Sequence, residues 1–244
     1  MKILVCISNV PDTTTKITFT DNNTQFNNNG VQFILNPYDE IALARAIELT
    51  EGGGSVTVIN VGEAATEPTI RKALAIGAAD AVRINTKPHD AWYVAYQIAE
   101  YVKANPFDLI LTGRESIDYN GSKVAGMLGE LLDLPSVSII KKLDVSGTDV
   151  NVEREIEGGK ESITLPLPVV LGTAEGVAEP KIPNMRGIMS ARTKPLAIVE
   201  PAEVKTFSEI ISYETPAPRG QVKLIAADDT AKLVDLLHEE AKVI

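Results

Sequence analysis

The chain has 244 residues, 44% of them hydrophobic, and a formal net charge of −10. That length and apolar content suffice for one main domain with a sizeable core plus an extension. The acidic balance argues against a nucleic-acid partner, which would demand clustered Lys and Arg, and no apolar run is long enough to be embedded in a bilayer.

Apolar runs at residues 3–8, 55–61, 81–84 and 109–112 read as strands. The first, in MKILVCIS, does not resemble a signal peptide and holds the lone cysteine. Cys6 therefore reads as a core residue, and its isolation fits a reducing, cytoplasmic or matrix-side compartment. Helices fall between the strands. Asn36-Pro37-Tyr38-Asp39-Glu40 is a helix start, with Asn36 at the N-cap, proline at the first position and acids in the first turn; Leu43, Ala46 and Ile47 supply the apolar face. Ile70, Ala73 and Leu74 mark a second helix that stops at Gly77. Trp92, Ala95, Ile98, Ala99 and Val102 mark a third that ends before Asn105-Pro106, with Trp92 read as core.

Strands separated by helices imply right-handed βαβ units around a doubly wound parallel sheet. Ligands in such sheets collect beyond the carboxyl ends of the strands, where residues 8–13, 61–65 and 113–122 converge. The run LILTGRESIDYNGSKVAGMLGELL is the most informative of these. Gly121 and Ser122 open a helix whose inward stripe is Val124, Met127, Leu128 and Leu131. The first turn of that helix has free N–H groups and the positive end of the macrodipole, a position that suits a phosphate. An ordinary βα turn capped by Ser122 fits the same spacing equally well, since the full G-x-x-x-x-G-K-[ST] loop is absent.

After Pro135 the pattern shifts to shorter strands at 137–143, 150–156, 161–165 and 169–172, read as an antiparallel extension of the sheet. A loop at 179–189 follows, with two prolines, cations on either side of Met185 and exposed apolar side chains. Residues 201–221 lack sustained periodicity and have poor means of packing on their own domain. From Asp228 a capped helix carries Leu233, Leu236, Leu237 and Ala241 on one face; a partner subunit or the chain's own core would cover it. The division is thus a nucleotide-binding domain at 1–200 and an arm plus helix at 201–244. His89 and His238 stand apart, and the zinc, thiol-redox, serine-hydrolase and G-x-G-x-x-G signatures are missing. Asp12, Asp118 and Glu155 read as capping or solvated acids.

Taken together, these stretches resemble the beta subunits of electron transfer flavoproteins. The resemblance rests on N-V-P-D at Asn9–Asp12, N-P-Y-D-E-I-A-L-A-R-A at Asn36–Ala46, T-I-R-K-A-L-A-I-G-A at Thr69–Ala78, G-R-E-S-I-D at Gly113–Asp118, V-E-R-E-I-E-G-G at Val152–Gly159 and I-P-N-M-R-G-I-M-S-A-R at Ile182–Arg192. Each is weak alone, but their shared order spans nearly the whole chain. It implies an electron carrier, not an enzyme: a heterodimer whose alpha subunit holds most of the FAD, loaded by acyl-CoA or other flavin dehydrogenases and unloaded by a membrane quinone oxidoreductase. It further implies a structural AMP, with phosphate on Gly121, Ser122, Lys123 and Val124 and the base near Cys6, Asn36, Val61, Gly62 and Ser116. Tyr38 would face the isoalloxazine, while Thr13 stands where some members carry tyrosine. Glu155 matches an acid that meets the flavin domain of the alpha subunit. Met185 matches an apolar anchor for the dehydrogenase, framed by Ile182, Lys181, Arg186 and Arg192.

Electron-bifurcating members carry a second FAD in place of AMP and usually show a G-G-A-D-T-like stretch; here Lys87–Trp92 departs from it, which favours AMP. A stand-alone ATP-binding module of the universal-stress type and an ATP pyrophosphatase are the rivals outside the family. The former tends to lack an arm, and the latter needs an S-G-G-x-D-S loop that Ser8–Asp12 does not supply.

Overall fold

The computed structural model describes residues 1–244. In chain order the elements are β1 (Lys2–Cys6), β2 (Asn9–Pro11), β3 (Phe19–Thr20), β4 (Gln25–Phe26), β5 (Phe33–Leu35), α1 (Pro37–Thr50), β6 (Ser55–Val61), α2 (Glu67–Ile76), β7 (Asp80–Ile84), α3 (Ala91–Ala104), β8 (Leu109–Gly113) and α4 (Val124–Leu132). There follow β9 (Ser136–Ser146), β10 (Asp149–Ile156), β11 (Gly159–Pro166), β12 (Val169–Thr173), α5 (Met185–Ala191), β13 (Leu196–Val199) and α6 (Thr230–Asp235), the last continued by a π-helical turn at Leu236–Glu240.

Nine strands form one sheet in the order β11-β10-β9-β12-β8-β1-β6-β7-β13. The run from β9 to β13 is parallel, and β10 and β11 add an antiparallel edge. Side chains of the inner parallel strands β1, β6, β7, β8 and β12 alternate between two packed faces, which is why these strands read as near-continuous apolar runs. Ile3 and Val5 join one core with Leu43, Ile70 and Leu74 of α1 and α2. Leu4 and Cys6 join the other with Ile98, Val102 and Leu128 of α3 and α4. Fully burying a side chain such as Leu4 or Leu43 contributes about 1.5–3 kcal/mol. Strand order reverses at β1: the chain passes from β1 to β6 and β7 on one side, then returns to β8 on the other. The carboxyl ends of β1 and β8 thus frame the crevice where such sheets take ligands.

Several expectations need correction. Residues 169–172 are not antiparallel: β12 inserts between β8 and β9 and runs parallel to both, since its V-V-L-G run is buried on both faces. The loop at 179–189 contains the short helix α5, capped by the Asn184 side chain, which accepts the Gly187 N–H at 2.8 Å. Strand β13 extends the parallel sheet beyond β7, and its four residues carried too little pattern to be seen. The C-terminal helix begins at Thr230, with Asp229 at its N-cap and no capping bond from that side chain. Trp92 is half-buried, lying not in the core but between Tyr96 and Phe207.

The arm is also better anchored than its sequence suggests. Gln97 exchanges two 2.7 Å hydrogen bonds with the Ala202 backbone, and Asp90 accepts the Phe207 and Ser208 N–H groups at 2.8 and 3.0 Å. Farther on, Ile211, Val222 and Leu224 stay exposed, as do Leu233 and Val234 of the terminal helix, so the arm is tethered without burying its apolar side chains.

Candidate functional site

The helix start at Asn36 does more than begin α1. Its side chain does not cap the helix. It is fully buried and turns outward to the loop after β8, donating to the Glu115 carbonyl at 2.8 Å and accepting the Ile117 N–H at 3.3 Å. Three residues on, Asp39 accepts the Ser8 N–H at 2.7 Å and the Gly113 N–H at 3.0 Å. One turn of α1 therefore ties together the chain leaving β1 and the chain leaving β8. Burial raises the Asp39 carboxyl to about 7, against the opposing pull of these hydrogen bonds. Gly113 is required there: a Cβ would run into the Asp39 carboxylate and lie 2.8 Å from the Tyr38 backbone.

Beyond Gly113 the loop rises to α4. Helix α4 starts at Val124, two residues later than Gly121-Ser122 implied, with Lys123 at the N-cap and no side chain capping the first turn. Ser122 does not cap the helix either; its hydroxyl donates to the Arg114 carbonyl at 2.9 Å. Asn120 and Ser122 both hold φ of 49°, a left-handed conformation that costs a non-glycine residue of order 1–3 kcal/mol. Between them, Gly121 is open on its Cβ side. The N–H groups of Val124, Ala125 and Gly126 thus form the uncapped, positively polarised end of α4, beside strained backbone and open space.

The other expected residues approach this edge from neighbouring strands. Val61 ends β6 and Gly62 follows it; Gly62 is pinned by Arg83, a buried cation that donates to its carbonyl at 3.0 Å and to the Asn85 side chain at 2.7 Å. Cys6 ends β1 inside the core, and burial, then the neighbouring Asp39, push its thiol up; it is no nucleophile. Tyr38 is half-buried, with the Arg114 guanidinium 5.7 Å above its ring. Burial, then the nearby Glu175, raise its phenol. Arg114 Nε is itself buried without a hydrogen-bond partner, 3.6 Å from Glu115. Cys6, Asn36, Tyr38, Val61, Gly62, Ser116 and Gly121 to Val124 are thus brought to one sheet edge. Asp39, Arg83 and Arg114 were missed as site residues; Asp39 read only as a helix-start acid, and nothing in the spacing marks which charges will be buried.

The remaining expected residues lie on other surfaces. Met185 and Arg186 open α5, which sits on α2 so closely that a Cβ at Gly187 would meet the Ala75 carbonyl. Arg71 of α2 holds the far end through the Ala191 and Lys194 carbonyls at 2.8 and 2.7 Å. Ile182 is 93% exposed and Met185 74% exposed above this platform, with Lys181 leaning 3.6 Å from Glu51. Glu155 lies on β10, bonded at 2.6 Å to Lys141 of β9, which lowers its carboxyl. No three or more His, Cys, Asp or Glu residues are grouped to hold a metal ion, and no helix is long and apolar enough to cross a membrane.

Comparison with known proteins bears directly on this arrangement. Residues 23–204 match the Electron transfer flavoprotein domain. Electron transfer flavoprotein subunit beta of Bacillus subtilis is 36% identical over 259 residues, covering all of both chains. This chain belongs to the electron transfer flavoprotein beta-subunit family. Subunit beta of Bradyrhizobium diazoefficiens is 30% identical over all of both chains, and that of Homo sapiens 30% identical over 97% of this chain and 98% of its own. The doubly wound α/β fold is the one expected of the family. Its work is electron transfer, as a carrier and not as an enzyme.

Proposed function

We propose that this electron transfer flavoprotein beta subunit pairs with an alpha subunit, encloses one AMP at the carboxyl edge of its sheet, and supports an FAD held mainly by its partner. One observation carries the reading: buried Asn36 and Asp39 fix the loop that ends in the strained Asn120–Ser122 turn and the uncapped first turn of α4. A backbone so constrained, with its N–H groups free of side-chain caps, has the chemistry of a phosphate seat. Gly121, Ser122, Lys123 and Val124 would hold the phosphate. Cys6, Asn36, Val61, Gly62 and Ser116 would line the base and ribose, and Arg114 supplies a nearby cation with an unpartnered Nε.

When bound, FAD supplies the redox chemistry, whereas AMP supplies none and completes the fold. Tyr38 would present an aromatic face to the flavin, its ring steadied by Arg114. Glu155 would meet the partner's flavin domain from the antiparallel edge. Met185, with Ile182 and Arg186, would dock flavin dehydrogenases such as those of acyl-CoA; an exposed thioether framed by cations suits a surface that must fit more than one partner. Electrons would pass from there to a quinone oxidoreductase.

A second reading keeps the family and replaces AMP with a second FAD, as in bifurcating members. The segment before α3 speaks against it, because Asp90 both caps α3 through the Tyr93 N–H at 2.7 Å and ties down the arm. Mass spectrometry of the nucleotides released from the denatured heterodimer decides: one AMP and one FAD are expected, and two FAD would overturn the proposal.

A further inference from the structure

Two Asn-Gly pairs occur in the chain, Asn29-Gly30 and Asn120-Gly121. Several other asparagine side chains are spent in hydrogen bonds: Asn36 on the Glu115 carbonyl, Asn60 on the Ile7 carbonyl at 2.8 Å, Asn105 on the Tyr101 carbonyl at 3.1 Å and Asn184 on the Gly187 N–H. The Asn120-Gly121 pair differs. Both residues are exposed, and neither the Asn120 carboxamide nor the Gly121 N–H is held by a hydrogen bond within the chain. Nothing lies within 4 Å of a Cβ built on Gly121. Only the Asn120 N–H is fixed, on the Ser116 carbonyl at 2.8 Å. Asn120 holds a φ of 49°, a left-handed conformation that asparagine visits more readily than most residues. The pair is thus unprotected in the turn that leads to the uncapped end of α4.

We propose that Asn120-Gly121 is a self-modification site, where deamidation turns the carboxamide into a carboxylate and so weakens the hold on an anion at the start of α4. In the first step the Gly121 nitrogen attacks Cγ of Asn120. The N–Cγ bond forms, the Cγ–Nδ2 bond breaks, the Gly121 proton leaves with the departing ammonia, and a five-membered succinimide remains. Water then opens the ring at either carbonyl to give an aspartyl or an isoaspartyl residue; nothing is oxidised or reduced. Glycine permits this step because it has no Cβ to obstruct its own nitrogen. The new negative charge stands four residues before Val124 and competes with an anion for the positive end of α4. That the anion is a nucleotide phosphate rests on the AMP reading above, whereas the chemistry of the pair does not. Asn29-Gly30 is an internal control: it is equally exposed, but it lies in the turn closed by the Val31 N–H on the Asn28 carbonyl, outside the loops expected to meet the nucleotide.

Peptide mass spectrometry of the full-length chain, freed of nucleotide and aged in neutral buffer, tests the site. Trypsin releases Glu115–Lys123 as one peptide. It should divide into amide, aspartyl and isoaspartyl forms at a rate like that of the peptide holding Asn29-Gly30. Gly121→Ala should slow conversion at Asn120 and leave Asn29 unaffected. Conversion at Asn29 while Asn120 stays intact overturns the site. Excess AMP should slow Asn120 alone, because a phosphate on the Gly121 N–H withholds the attacking nitrogen. Equal rates with and without AMP overturn the nucleotide seat and leave the modification standing. Finally, Asn120→Asp should weaken AMP binding about tenfold at low salt by like-charge repulsion, and less at high salt. An unchanged Kd at low salt overturns the weakened hold, and a loss that salt does not relieve overturns its electrostatic cause.

Discussion

The Asp39 carboxylate, fully enclosed at the start of α1, accepts the Gly113 N–H at 3.0 Å and so fastens the end of β8 to a helix that follows a different strand. Its other oxygen takes the Ser8 N–H after β1, placing one acid across the point where strand order reverses. No cation is hydrogen-bonded or salt-bridged to it; backbone N–H groups and the neutral Asn36 and Ser8 side chains are its company.

That isolation predicts a pH dependence. Burial raises Asp39 from 3.8 to about 7, so the folded chain keeps a proton that the unfolded chain has lost between those values. The stability contributed by this group therefore falls as pH rises from about 4 to 7 and is flat above. Asp12, Asp90 and Glu155, whose carboxyls are held low, act in the opposite sense and below their ordinary values. Urea midpoints at pH 5, 6 and 7 should decline in the wild type and flatten in Asp39→Asn. Parallel slopes in the two proteins would show that Asp39 is not the titrating group.

Asn36 should matter to both fold and site. Asn36→Ala leaves the Glu115 carbonyl and Ile117 N–H without their partner in a buried setting, a loss of about 1–3 kcal/mol by chemical denaturation. Bound AMP in the purified heterodimer should drop with it. Full stability with full nucleotide content would contradict the anchoring role.

Gly113 tests the close approach of the same elements. Gly113→Ala puts a methyl against the Asp39 carboxylate and the Tyr38 backbone, and overpacking of this kind costs about 1–3 kcal/mol. Thermal melts should register the loss, while Gly121→Ala, with open space on its Cβ side, should leave the melting temperature nearly unchanged.

The docking surface separates anchor from platform. Met185→Ala removes an exposed side chain, so stability should shift by less than about 0.5 kcal/mol while dehydrogenase-driven flavin reduction slows. Gly187→Ala, pressed against the Ala75 carbonyl, should lower both stability and reduction rate by displacing α5. Stopped-flow reduction at fixed flavin content reads both variants, and a wild-type rate in Met185→Ala would remove the anchor.

The alternation of strands and helices was legible from the apolar runs alone. Leu4 and Val5 face opposite sides of a parallel strand wherever it pairs, and the second and third helices end where Gly77 and Asn105-Pro106 stop them. The convergence of the loops after β1, β6 and β8 followed from the same reading. Hydrophobic periodicity is local, so a sequence states it outright. What only the tertiary structure decided is where polar groups spend their hydrogen bonds. Asn36 has the identity of a cap and is used as a tether across 79 residues; Asp39 looks like a first-turn acid and becomes a buried clamp. The parallel setting of β12 and the added strand β13 depend likewise on neighbours distant in the chain. Such partners are chosen by packing, which forces most enclosed donors and acceptors to find a mate, and no local pattern encodes which one.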